Sequence, residues 1–330
     1  REAAQGHCRA PGRCVRAMAS AHWSAALRSA AAWPLRGLID CLWAVALLRH
    51  RHRGRRVATT ASFTAIGCAA MRYYGTCLGY CADPLAACFL DWVWRAIALA
   101  SVLAHRLDPG FSPMGAGMLV ARTRFFDAAV ERMPKSPSNL IVLAGGCCAR
   151  SMRATSANPS LRAFEVDIPS TQGFKLRRLR GLGSLGAVSF VGVDLEQECW
   201  LEALRARGLC ETLPTVVTVE GLVSYLSQSA VDSLMRKVAQ LSGSLLVLNV
   251  QDGALRQSAM GRTVRRVGEP QLFGVRPGSY REWLGEYGFE LLECIQGPTQ
   301  MWRYLRGLGV NVPPWRDDVC HALLLCRAPE

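Results

Sequence analysis

Residues 139–167 read NLIVLAGGCCARSMRATSANPSLRAFEVD, and this stretch decides the fold. Residues 140–143 are a short continuous apolar run, the pattern of a strand covered on both faces of a parallel sheet. The run ends in Ala144, Gly145 and Gly146. Small residues there let the backbone approach a ligand and leave amide N–H groups free at the start of the next helix. A second strand, residues 163–166, ends in Asp167, 21 positions after Gly146. A carboxylate at that point can accept hydrogen bonds from both hydroxyls of a ribose. Strand, small-residue turn, helix, strand and acid are the layout of a nucleotide-type cofactor site on an α/β sheet.

The pattern continues downstream. Further strands are predicted at 188–193, 215–219, 245–250, 289–295 and 321–326, with helices at 175–180, 200–207 and 229–241. Alternating strands and helices imply a doubly wound, mainly parallel sheet of about seven strands. Ligands of such sheets sit at the carboxyl ends of the strands. Two more strands end distinctively there: the third in Asp194 and Leu195, an acceptor for an amino group beside an apolar wall, and the fourth in Glu220 and Gly221. Each acid alone is an ordinary cap or turn former, but together they mark one edge of one sheet. Upstream, residues 59–135 read as helical: 63–74 by its three- and four-residue apolar steps, 83–107 as one helix opened by Asp83-Pro84, and 121–133.

The chain has 330 residues, half of them hydrophobic, enough for a large core. Its net charge of +14 is uneven. Residues 1–56 hold eleven arginines against Glu2 and Asp40 alone, a net +9, so basicity belongs to this segment rather than to the body. The segment is Arg- and Ala-rich and acid-poor, as targeting presequences are. Residues 1–58 are therefore expected to be a disordered or targeting extension, and 59–330 one domain (helical cap 59–135, α/β core 136–330). The apolar run 33–48 is interrupted by Arg36 and Asp40 and is shorter than the roughly 20 residues of a membrane span. The fourteen cysteines have no zinc spacing and no CxxC pair, and are expected to be buried free thiols. Trp92, Trp94, Trp283, Trp302 and Trp315 are read as core or lid packing, His105 and His321 as structural, and RRLRGLG (177–183) as a solvated helix end.

Several segments together resemble the leucine carboxyl methyltransferase family of S-adenosylmethionine enzymes. RYYGTCLGYCADPLA (72–86) is similar to the family's N-terminal segment and ARTRFFDAAV (121–130) to its Arg-containing helix. VLAGGCCARSMR (142–153) resembles V-L-G-A-G-x-D-T-R-x-x-R, and FEVDIP (164–169) resembles F-E-V-D-x-P, followed by a basic residue at Lys175. VGVDL (191–195), EGLVSYL (220–226) and GEYGFELLECIQGPTQMWRYL (285–305) complete the set, so the resemblance covers roughly 59–330. The sequence departs from the pattern at Ala144, where the family has its first glycine, and at Cys148 and Ala149, where it has Asp and Thr.

The resemblance implies a Rossmann-like class I methyltransferase sheet with S-adenosyl-L-methionine as cofactor. Arg72 and Arg122 would hold the methionine carboxylate and Ala144, Gly145 and Gly146 the backbone approach. Asp167 would take the ribose, Asp194 and Leu195 the adenine, and Glu220 would lie near the methionine portion. The implied reaction is carboxyl O-methylation of a protein C-terminal leucine, as on the type 2A phosphatase catalytic subunit. Alternatives are a small-molecule O-methyltransferase, a tRNA wybutosine-type carboxyl methyltransferase, and a non-catalytic relative. A carboxylate acceptor is already ionised at neutral pH, so no general base is nominated and no metal is expected. Tyr225 and Arg153 fall near the expected pocket rim, Arg153 as a partner for a substrate carboxylate. A monomer with no DNA or membrane partner is expected. Its expected location is the cytoplasm, or an organelle reached through residues 1–56.

Overall fold

The computed structural model describes residues 12–52, 61–111, 115–182, 187–312 and 321–330. Residues 1–11, 53–60, Gly183 and Trp315, named above, lie outside the described residues. Seven strands form one sheet: β1 (Ser138–Leu143), β2 (Leu161–Asp167), β3 (Val188–Gly192), β4 (Thr215–Val219), β5 (Leu245–Gln251), β6 (Glu290–Gln296) and β7 (His321–Arg327). Their order is β3-β2-β1-β4-β5-β7-β6. β1 to β5 pair in parallel, while β7 runs antiparallel between β5 and β6. This is the Rossmann-like arrangement that the motifs imply, and all seven predicted strands are present.

The apolar runs fill both faces. Leu140, Val142, Val216 and Val247 point into one core, whereas Ile141, Leu143, Val217 and Leu246 point into the other. Period-two alternation thus separates two hydrophobic layers, each completed by helices. Fully burying one such side chain stabilises by about 1.5–3 kcal/mol. Eleven helices accompany the strands among the described residues. Four precede the sheet: α1 (Gly12–His52), α2 (Phe63–Cys77), α3 (Trp92–Leu107) and α4 (Ala116–Glu131). The others are α5 (Arg150–Ala157), α6 (Pro169–Leu179), α7 (Trp200–Arg205), α8 (Gln228–Ala239), α9 (Ala259–Arg266), α10 (Tyr280–Gly285) and α11 (Gly297–Gly307).

The expected helix 83–107 is two elements, a 3-10 turn (Pro84–Phe89) and α3. Asp91 breaks it, since its Oδ1 accepts the N–H groups of Val93 and Trp94 at 3.1 and 3.2 Å and so starts a new helix. The expectation of disorder in 1–58 fails for the described part, because residues 12–52 form one helix. Ala32, Ile39 and Ala46 of α1 are buried. Trp43 stacks on Phe63 and meets Trp94 edge-on, and Arg36 pairs with Asp108 at 2.5 Å. The stretch Leu27–His50 is also longer than the apolar run read from sequence, and is long and apolar enough to cross a membrane by length and composition. Trp94 and Trp283 are buried as expected, but Trp92 is 64% exposed. Cys81, Cys147, Cys148 and Cys326 are buried free thiols, whereas Cys41 and Cys199 are exposed.

Candidate functional site

Strand register builds the site. Leu143 pairs with Val166 of β2 and with Val219 of β4, so the next residues, Ala144, Asp167 and Glu220, emerge side by side at one sheet edge. Asp167 also pairs with Gly192, which places Asp194 two residues beyond the same edge. A cavity of about 490 Å³ opens there, within the range of small-molecule and cofactor sites. It is lined by Arg72, Arg122, Ala144, Gly145, Gly146, Asp167, Asp194, Leu195 and Glu220, every residue expected at the cofactor from sequence.

The glycine turn is shaped by what lies beneath it. A Cβ on Gly145 would sit 2.4 Å from Cγ of Glu165, closer than real atoms approach. Glu165 is buried, accepts from Ser151 Oγ at 2.6 Å and pairs with the buried Lys175 ammonium. Lys175 also donates to the carbonyl of Cys148, so this pair fastens the turn to β2 and α6. Ala144 holds φ +57°, the left-handed region, and is the one such non-glycine among the described residues. The Asp167 carboxylate accepts the Gly146 N–H at 2.5 Å and the Ile168 N–H at 2.7 Å. Burial pushes its pKa up to about 6 against the pull of those two donors.

At the other end of the cavity, three arginines converge on Glu220. Arg122 Nε donates to Oε1 at 2.9 Å, a terminal nitrogen of Arg72 to the same oxygen at 3.2 Å, and Arg150 to Oε2 at 2.6 Å. Burial alone would raise the Glu220 pKa, but the guanidinium groups of Arg150, Arg72 and Arg122 outweigh it and hold the carboxyl well below its ordinary range. Arg150 pairs further with Asp127 at 2.7 Å, and Arg153 with Asp127 at 2.8 Å and Asp83 at 3.2 Å. Arg72, Arg122, Arg150 and Arg153 against Glu220, Asp127 and Asp83 leave one positive charge uncompensated. Arg72 Nε is buried with no hydrogen-bond partner. Such a site accepts a carboxylate readily.

Three residues not singled out from sequence also shape the site: Arg150 and Glu269 line the cavity, and Asp127 pairs with Arg150. Arg150 stands inside the quoted 142–153 motif, at the position of the arginine in D-T-R, so its signal was present. Glu269 had none. It lines the cavity and accepts the Phe63 N–H at 2.6 Å, the Thr64 N–H at 3.2 Å and the Ser62 hydroxyl at 3.2 Å, closing the start of α2 over the pocket. Arg153, expected at the pocket rim, is instead committed to Asp127 and Asp83 and does not line the cavity. Tyr225 does line it, and burial pushes its phenol up, so it stays protonated. The residue preceding α5 is Ala149, which offers no side-chain cap.

Residues 65–239, more than half of the chain, match the leucine carboxyl methyltransferase family. The chain belongs to the leucine carboxyl methyltransferase family. A relative from Mycolicibacterium smegmatis is 32% identical over 258 residues, 72% of this chain and 81% of the relative. Another, from Mycolicibacterium gilvum, is 35% identical over 153 residues, 46% of this chain. That match spans about half, 49%, of the relative's length. Both carry the name "Putative S-adenosyl-L-methionine-dependent methyltransferase". A crystal structure from Thermobifida fusca, described as "a putative methyltransferase", superposes with a TM-score of 0.51 over 84% of this chain and 98% of its own, at 17% identity. It shows the class I methyltransferase fold. The family's cofactor, S-adenosyl-L-methionine, fits the site on its own terms: a carboxylate for a ribose, an apolar wall at Leu195, and a surplus cation for a methionine carboxylate.

Proposed function

We propose that this family member is an S-adenosylmethionine-dependent carboxyl O-methyltransferase. The cofactor, when bound, supplies an electrophilic methyl group on a sulfonium. Arg72 and Arg122 would hold its carboxylate, Asp167 its ribose, and Asp194 with Leu195 its adenine. The observation that carries the acceptor class is the state of two carboxylates and a phenol that line the cavity. Glu220 is locked as an anion by three arginines, and Glu269 is occupied by backbone and hydroxyl donors. Tyr225 is held protonated. None of them is free to remove a proton, so the pocket suits an acceptor oxygen that is already ionised. A carboxylate meets that requirement, and the methyl group would come from the cofactor that Arg72, Arg122, Asp167, Asp194 and Leu195 would hold. What the chain contributes is alignment and exclusion of water.

The finer reading is a protein C-terminal leucine as acceptor, the chemistry in the family's name. Leu222, Leu226, Pro270 and Leu272 line part of the cavity and would offer a leucine side chain an apolar surface. The test has two stages. Calorimetric titration with S-adenosylmethionine and S-adenosylhomocysteine should show binding, and none at millimolar ligand would sink the enzyme reading. Radiolabelled methyl transfer to a phosphatase catalytic subunit, with and without its terminal leucine, then separates acceptors. Alkali-labile label, lost when the leucine is removed, supports the proposal. Alkali-stable label would identify an ether or amine acceptor and refute it.

A further inference from the structure

We propose that the face formed by α1 and α3 docks on an anionic lipid surface. The inner side of α1 is accounted for, since Ala32, Ile39 and Ala46 recur every seven residues and are buried. The outer side is not. Between residues 30 and 48 every exposed position is uncharged and mostly apolar except Asp40. Trp33, Leu38 and Leu48 of α1 are 75%, 48% and 53% exposed, and Trp92, Leu99 and Leu103 of the neighbouring α3 add 64%, 50% and 49%. These six make up half of the large hydrophobic side chains exposed among the described residues. Exposed apolar side chains gathered on two packed helices mark an interaction surface.

Charge selects the occupant. Arg28 is exposed at one end of the face, and Arg95 and Arg106 are exposed along α3. At the other end the His50 ring is 3.2 Å from the carbonyl of Val267, which brings the exposed Arg265 and Arg266 of α9 alongside. Apolar surface with tryptophans, framed by arginines, is the composition of a helix lying in a membrane interface on anionic headgroups. A second copy would set the same cations against one another across a two-fold axis. A spanning arrangement of Leu27–His50 fits less well. It would break Arg36–Asp108 and the packing of Trp43 on Phe63 and Trp94, and would move Arg36 and Asp40 into hydrocarbon. Surface docking keeps every one of those contacts. It departs from the sequence expectation of no membrane partner, which counted the interruptions of 33–48 but could not see that one side of the helix is covered. It also places the pocket edge at Gly268 and Glu269, directly after Val267, beside the lipid.

The test is flotation of the full chain with vesicles of phosphatidylcholine, alone or with phosphatidylserine. The chain should float with the anionic vesicles at least about tenfold better than with neutral ones, and less at high salt. The exposed triple variant Trp33→Ser, Leu38→Gln, Leu99→Gln should lose about tenfold in partition, with an unchanged circular dichroism spectrum and melting temperature. Arg265→Gln with Arg266→Gln should lose binding to anionic vesicles only. Failure of the native chain to float, or equal flotation of the triple variant, would overturn the proposal. So would resistance to alkaline carbonate extraction, which would mean a spanning helix. A lipid-free dimer that the triple variant converts to monomer would instead assign the face to a second copy. None of these readouts depends on cofactor or acceptor.

Discussion

Ala144 is a small departure with a measurable consequence. A left-handed backbone at an L-residue costs roughly 1–2 kcal/mol, and Ala144 adopts it at φ +57°. The turn keeps this conformation because Gly145 must lie against Glu165, so the strain follows from the neighbour rather than from alanine. Ala144→Gly should therefore raise stability in urea by about 1 kcal/mol and tighten cofactor binding, since the methyl lines the cavity. A variant that is less stable than the native chain would show that the methyl is not strained. Asp167 supports a second prediction, for pH. Its folded pKa, about 6, lies above the ordinary value of 3.8. Between those values the native state binds more protons than the unfolded state, so this residue's contribution to stability declines as pH rises through the window. Cofactor affinity should run the other way, because ribose hydroxyls donate to the ionised carboxylate. Affinity should be about tenfold weaker at pH 5 than at pH 8, and Asp167→Asn should bind weakly with that slope abolished. A native profile flat from pH 5 to 8 would remove Asp167 from the ribose site.

At the scale of elements, what sequence could show depended on how local each cause is. The strands were legible because continuous apolar runs carry their own signal, and Thr215–Val219 has the bounds that its residues predict. The sequence reads 83–107 as one helix because apolar residues continue through Leu90, whereas the side-chain cap that breaks it needs only Asp91 and the amides two and three residues on. Glu269 was invisible for the opposite reason. Its partner Phe63 is 206 residues away, and the apolar steps of 63–74 carry no sign of position 269. A buried carboxylate at a helix start satisfies amide groups that have no partner within the helix and opposes the positive end of the helix dipole. Glu269→Ala should cost about 2 kcal/mol by leaving those groups unpaired. The first-turn amides of α2 should then exchange with solvent faster than those of β1 and β4. Unchanged exchange at Phe63 and Thr64 would show that the start of α2 is held by something else.

Across the whole molecule, the site is the joint between two bodies of structure. The sheet supplies Glu220 at the end of β4, while α2 supplies Arg72, α4 supplies Arg122 and α5 supplies Arg150. The individual motifs were readable, but their meeting on one carboxylate was not, because it depends on how the helices pack over the strand ends. The same arrangement that prepares a cationic pocket also fastens the helices to the sheet. Glu220→Gln keeps the shape and removes the charge, leaving Asp127, paired with Arg150, as the one carboxylate ion-paired with these three buried guanidinium groups among the described residues. Breaking a buried ion pair at one partner costs about 3–5 kcal/mol. The loss should fall mainly on α2 and α4, whose amides should lose protection from hydrogen exchange before those of β1 and β4. The sign with pH is also determined. Because the folded pKa of Glu220 is depressed, its contribution is fully present above the ordinary carboxylate value and is lost only as pH falls through the folded one. Native and Glu220→Gln proteins should therefore differ in stability at neutral pH and converge under acid. A constant difference down to the acid limit would mean that Glu220 acts through its shape rather than its charge.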